Sequence, residues 1–331
     1  MNLVSRCMAV VFLSAMTFGT ASAQSSSGAA APEYPNRAIR IIVPFPAGGP
    51  TDILARVIAQ RMNEDWGQPV LVENRPGGNT TIGAQLAAKA PPDGYTLLAA
   101  MDTTLVMNPV TASNLPYDPF RDFVPITMAA NNTSLLTVRV ADGPKTVKEL
   151  IAKARANPGK LNYGAGTITT RLAGYLFNRM AGIDVVFVPY KGSADVVQGL
   201  LTGSVDFIVD GTASSLPLIH SGKFRALAKL TSRPLPALPE VKSLAVAADL
   251  PGLEDISTWT GLVAPAGTPP AVIDKIHREV AKMYADPAIV NKLEKSGITA
   301  MSSTPAEFGA FYRKETDRWS KVFRESGIKF D

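Results

Sequence analysis

Two short stretches carry residues whose types and spacing suit the binding of a small anion. The first is Pro44-Phe45-Pro46-Ala47-Gly48-Gly49-Pro50-Thr51-Asp52, with three prolines and two glycines in its first seven residues. The second is Gly164-Ala165-Gly166-Thr167-Ile168-Thr169-Thr170-Arg171, small and rich in hydroxyls. Each follows an apolar, strand-like run and precedes an apolar pattern of helical spacing. A helix that opens out of such a loop offers unpaired backbone N–H groups and the positive end of its dipole, which suits a carboxylate or another small anion. Thr51 and Asp52 are both good capping residues, so Asp52 has two readings: an N-cap, or a water-mediated ligand contact. Asp210, at the end of a strand-like run before Gly211, is ambiguous in the same way. Arg171 adds a permanent cation that could grip a carboxylate with two prongs, or else be a solvent-exposed first-turn residue. Thr103 and Thr104 are candidate hydroxyl donors after a further strand. Phe45, Tyr190 and Trp259 are candidate apolar walls, with plain packing as the alternative.

Signals for catalysis are poor. The only histidines are His220 and His277. There is no G-x-S-x-G, H-E-x-x-H or G-x-x-x-x-G-K-[ST] pattern, and Gly48-Gly49 and Gly77-Gly78 lack the spacing of a dinucleotide fingerprint. The single cysteine, Cys7, lies in the apolar stretch of a secretory leader. Its removal with that leader would exclude disulfides, thiolate metal sites and cysteine nucleophiles. No cofactor is expected. The formal charge of +5 becomes +4 without Arg6 of the leader, and the basic residues are scattered rather than clustered. Nucleic-acid binding therefore lacks its usual footprint.

The elements that must position these loops form two series. In the first, strands at 38–43, 69–73 and 95–100 alternate with helices at 52–66 and 80–89. An irregular, proline-punctuated segment (107–122) and an extended one (123–129) follow. The second series has strands at 135–140, 161–163, 185–188, 207–210 and 224–229, with helices at 147–157, 171–181 and 194–201 and a loop over 164–170. A proline-rich excursion (234–251), a strand at 261–264 and helices at 271–284, 288–295 and 305–323 complete the chain. Such alternation predicts an α/β protein with parallel βαβ units. With 331 residues, 46% of them hydrophobic, the chain is long enough for two ordinary domains. Residues 1–23 read as a signal peptide, with an A-x-A cleavage site ending at Ala23. Residues 24–33 read as a disordered tether. The leader's apolar stretch, 7–18, is too short for a bilayer, which takes about 20 residues.

The stretch P-F-P-A-G-G-P-x-D-x-x-A-R resembles the signature of the Bug family, the extracytoplasmic solute receptors of tripartite tricarboxylate transporters. Val72-Glu73-Asn74-Arg75-Pro76-Gly77-Gly78-Asn79, Pro92-Asp93-Gly94-Tyr95-Thr96-Leu97, Val188-Pro189-Tyr190-Lys191-Gly192 and Ala264-Pro265-Ala266-Gly267-Thr268-Pro269 are similar to further family blocks. The resemblance runs from about Tyr34 to the C-terminus. It implies a two-lobed periplasmic-binding-protein fold of type II, with a ligand cleft between lobes of residues 34–130 plus 259–331 and 131–258. The chain is expected to cross between them near 130–135 and 256–262. It also implies that the two loops face each other across that cleft, and that Phe45, Pro46, Ala47, Gly48, Gly49, Thr51 and Asp52 meet ligand with Gly166, Thr167, Thr169, Thr170 and Arg171. The family commonly has histidine where this chain has Arg171. The function so implied is periplasmic capture of a di- or tricarboxylate, an acidic amino acid or an aromatic carboxylate such as terephthalate, for delivery to a membrane permease. The protein is taken to be a monomer without direct membrane insertion. A receptor serving a signalling sensor and a secreted hydrolase are the alternatives.

Overall fold

The computed structural model describes residues 33–251 and 256–326. The expected signal peptide, its cleavage site, Cys7 and nearly all of the tether lie outside the described residues. The chain opens with β1 (Ile39–Val43), α1 (Pro50–Trp66), β2 (Val70–Asn74), α2 (Thr81–Ala88) and β3 (Thr96–Met101). A π-helical turn over Thr103–Met107 continues into α3 (Asn108–Thr111) and leads to β4 (Phe123–Arg139). Next come α4 (Val147–Ala156), β5 (Asn162–Ala165), α5 (Ile168–Ala181), β6 (Val186–Pro189), α6 (Ser193–Thr202), β7 (Phe207–Gly211), α7 (Thr212–His220) and β8 (Phe224–Lys229). The last elements are α8 (Leu244–Ala248), β9 (Ser257–Pro265), α9 (Pro270–Met283), α10 (Pro287–Lys295), β10 (Thr299–Ala300) and α11 (Pro305–Ser326).

β1 pairs in parallel with β2 and β3, and β5 pairs in parallel with β6 and β7. Strands buried on both faces need no alternation, and Ile39, Ile41, Ile42 and Val43 of β1 are all fully buried. Two antiparallel strands join the sets. β9 lies between β3 and β4, while the far end of β4 pairs with β7 and β8. Ile39, Ile41 and Val43 pack with Leu54, Ile58 and Met62 of α1 and Ile276 of α9. On the other face, one cluster runs from Ile42 and Leu98 through Leu136 and Val138 to Tyr163, Phe177 and Phe207, and includes Phe308, Tyr312 and Trp319 of α11.

Several expectations from sequence are corrected. A break was expected between 129 and 135, yet β4 is one strand of 17 residues, with its two irregularities at Pro125/Thr127 and Met128/Ala130 in its register against β9. The first helix starts at Pro50 rather than Asp52, and α5 starts at Ile168 rather than Arg171. The second loop therefore shrinks to Gly166 and Thr167. The helices α7 and α8, the π-helical turn with α3, and the short strand β10 had no counterpart in the sequence reading.

Candidate functional site

The first loop is held from behind. Asp52 is not the N-cap: Gly49 takes that position and Pro50 is the first helical residue, where a missing N–H costs nothing. The Asp52 carboxylate reaches back to accept from the Gly48 N–H at 3.0 Å, from Arg56 Nε at 3.0 Å and from Asn74 Nδ2 at 3.0 Å. Asn74 Nδ2 also donates to the Phe45 carbonyl at 3.1 Å. Burial by itself would raise the Asp52 pKa, but the hydrogen bonds from Arg56, Gly48 and Asn74 outweigh it and hold the carboxyl below its ordinary range. Gly48 has φ +85, a region that favours glycine.

The second loop caps α5 reciprocally. Thr167 Oγ1 accepts from the Thr170 N–H at 3.2 Å, and Thr170 Oγ1 accepts from the Thr167 N–H at 3.2 Å. Gly166 lies hard against Gly192: a Cβ on Gly166 would sit 2.5 Å from the Gly192 carbonyl carbon. Gly192 is the N-cap of α6, whose first residue, Ser193, donates from Oγ to Asp210 Oδ1 at 2.7 Å. A fourth turn, 76–80, opens α2. Its Asn79 and Thr80 have φ of 49 and 77, uncommon for residues with a Cβ. They are held there by Asn108 Nδ2, which donates to the Asn79 carbonyl at 2.7 Å and to Thr80 Oγ1 at 3.1 Å.

These four helix-opening segments enclose two adjoining cavities. The outer one, about 890 Å³, is lined by residues 44–46, 76–80, Thr103, 166–167, 189–191 and Asp195. The inner one, about 20 Å³, has room for roughly one water. It lies among Phe45, Pro46, residues 49–51, Met101, Thr167 and 192–195. Among the described residues Lys191 is the one cation lining the outer cavity, and it is exposed.

The structure brings Phe45, Pro46, Gly49, Thr51, Thr103, Gly166, Thr167 and Tyr190 to the cavity walls. The other candidates do not line them. Ala47, Gly48 and Asp52 shape the first loop from outside. Thr104 is turned inward, where its hydroxyl donates to Thr80 Oγ1 at 3.0 Å. Thr170 is consumed by the cap, and the Thr169 hydroxyl donates to the buried Asp102 carboxyl. The Arg171 guanidinium lies 4.6 Å from the centroid of the Phe187 ring, a cation–π contact that places it off the cavity wall. Asp210 is fully buried behind Ser193. Trp259 is core, edge-to-face with Phe308 at 5.6 Å and Phe311 at 5.3 Å. The sequence reading missed Met101, Asn79, Thr80, Lys191, Ser193 and Asp195. Pro76-Gly77-Gly78-Asn79 and Lys191-Gly192 stood among the family-like blocks, and each is a Gly-containing turn before a helix, which was the signal available.

A mixed α/β sheet carrying a cavity bordered by several helix N-termini defines a solute-binding receptor of the two-lobed periplasmic type. The sequence profile described as "Tripartite tricarboxylate transporter family receptor" matches residues 54–328, and the chain belongs to that family. It is 34% identical over 330 residues to the protein BugT of Bordetella pertussis, covering 98% of this chain and 99% of that one. Among solved structures, Rpa4515 of R. palustris with adipate is 34% identical with a TM-score of 0.86, over 90% of this chain and 99% of that one. MatC of Rhodopseudomonas palustris with bound malate is 30% identical with a TM-score of 0.81, over 87% and 99%.

Proposed function

We propose that this chain is a periplasmic receptor that captures a small carboxylate and hands it, chemically unchanged, to the membrane permease of a tripartite tricarboxylate transporter. The observation that carries this reading is the gathering of the openings of α1, α2, α5 and α6 around two adjoining cavities, the outer of which has Lys191 as its one lining cation among the described residues. A helix opening stabilises a nearby anion by about 0.3–1 kcal/mol, and each hydrogen bond to a carboxylate by roughly 1.5–3 kcal/mol. Micromolar affinity needs about 8 kcal/mol, so a few such contacts suffice after desolvation costs. The outer cavity is of the size that holds small ligands, about 300–1,000 Å³. The ligands of Rpa4515 and MatC, adipate and malate, are both dicarboxylates, which supports the same class here.

Calorimetry against a panel of aliphatic, hydroxylated and aromatic carboxylates, with mass spectrometry of the recovered ligand, tests the reading. Stoichiometric binding of one class and intact ligand are expected. Turnover above background, or no binding across the panel, sinks it.

Charge is read at Lys191 rather than Arg171. Lys191→Ala is expected to weaken a dicarboxylate up to about fivefold, the effect of about 1 kcal/mol at an exposed cation. The matching monocarboxylate should change far less. Arg171→Ala, which removes a contact with Phe187, should leave the ratio of the two affinities as it is in the parent. A reversed pattern between the two variants would return the second carboxylate to Arg171.

A further inference from the structure

Ser193 stands at the inner cavity with its Oγ 2.7 Å from Asp210 Oδ1. Asp210 is 1% exposed, and its other oxygen, Oδ2, has no hydrogen-bond partner. A buried carboxylate with an unpaired oxygen is costly, whereas a neutral acid that donates from Oδ1 leaves only a carbonyl-like oxygen unpaired. The two protonation states give Ser193 opposite polarity. With Asp210 ionised, the serine hydroxyl must donate to it and shows lone pairs to the cavity. With Asp210 neutral, the acid donates to Ser193, and the serine proton is released toward the cavity.

We propose that Asp210 and Ser193 form a proton-gated donor that reaches the ligand carboxylate through the single water for which the inner cavity has room, so that binding takes up one proton onto Asp210. This deepens, and rests on, the carboxylate-receptor reading above. Asp210 is a positioning residue here, acting on ligand only through Ser193. Its burial pushes the carboxyl up to about 7, against the lowering effects of the Ser193 and Gly211 hydrogen bonds, so the gate works near neutrality. The ionisable groups on the surrounding elements are Asp195 on α6, Tyr163 on β5, Arg139 on β4, Arg171, Tyr175 and Arg179 on α5, Arg225 and Lys229 on β8 and His220 at the end of α7. The Asp210 carboxyl is set by its burial and by its hydrogen bonds with Ser193 and Gly211 rather than by any of these charges. Asp102, also raised to about 7 by burial, faces Thr169 instead.

The sign follows. Below about pH 7 Asp210 is neutral and the donor is available; above it, ligand binding must first return a proton. Adipate and malate, whose carboxylates titrate well below pH 6.5 and so stay largely ionised, are measured by calorimetry from pH 6.5 to 8.5 in buffers of differing ionisation enthalpy. The parent should weaken about tenfold across that range and take up close to one proton at pH 8. Asp210→Asn, a permanent amide donor, should lose the slope and the uptake. Ser193→Ala should bind about tenfold more weakly at pH 6.5 and be flat. Melting curves confirm that each variant is folded; if Asp210→Asn does not fold, Ser193→Ala and the parent's proton uptake decide. A flat parent profile, or a slope kept in Asp210→Asn or Ser193→Ala, overturns the gate and leaves the receptor reading standing. No binding of either ligand at any pH removes both.

Discussion

Asp52→Ala is expected to lower unfolding free energy by about 2–3 kcal/mol and to weaken carboxylate binding tenfold or more. The carboxylate is the shared acceptor for Gly48, Arg56 and Asn74, and hydrogen bonds to a charged group contribute roughly 1.5–3 kcal/mol each before water replaces part of the loss. It is also the brace that keeps residues 44–49 in position behind the cavity wall, so the ligand-side groups of Phe45, Pro46 and Gly49 lose their fixed geometry with it. Urea unfolding with and without ligand measures both effects. The folded-state pKa of Asp52 is depressed. Its contribution is therefore present above the unfolded value, about 3.9, and is lost as pH falls through the lower folded value. Parent and variant should converge in stability toward that acid limit. A variant that unfolds like the parent at neutral pH would show that the loop holds itself.

Gly166→Val should abolish measurable binding, a loss beyond 100-fold, with a melting temperature lowered far less than a core deletion would lower it. The added Cβ would meet the Gly192 carbonyl carbon at 2.5 Å, its oxygen at 2.7 Å and its Cα at 2.9 Å. All three are backbone atoms and cannot swing aside as a side chain can. The openings of α5 and α6 must separate, and overpacking of that kind costs typically 1–3 kcal/mol. Gly48 is the informative contrast. Nothing in the protein lies within 4 Å of a Cβ built there, so within the fold its positive φ alone resists substitution. Calorimetry and thermal melts of Gly166→Val decide the point; near-parent affinity would mean the two loops do not need contact.

Much of the architecture was legible because Pro and Gly punctuate this chain so regularly. The boundary of β8 agrees at both ends, and most others differ by one or two residues. The failures share a cause. The break expected within β4, between 129 and 135, spans the polar Asn131 and Asn132. In the fold, Asn131 Nδ2 donates to Ser257 Oγ at 3.2 Å, and Asn132 Oδ1 accepts from the Ala213 N–H at 3.3 Å, at the opening of α7. Both partners lie about eighty or more residues away. The helix α7 was itself hidden by Ser214, Ser215 and an internal Pro217, all poor helix formers, and is held by contacts that no local window contains. Of the site, the two loops that sequence singled out do reach the cavity. The direction of each side chain was not legible: Thr104, Arg171 and Trp259 each turn to a partner, Thr80, Phe187 or Phe308, chosen by tertiary packing.

The position of β9 sets an order of assembly. It pairs Leu98 with Val263 on one side and Phe123 with Pro265 on the other, so the strand that joins β3 to β4 is encoded more than 100 residues after both. The first sheet cannot close while the ribosome is still short of residue 265, however complete its local helices. Contacts of such long range are slow to form, because the loop between them must be closed before they stabilise anything. Until β9 arrives, the paired edges of β3 and β4 stay open. Completion of that sheet is thus deferred by where one strand falls in the chain.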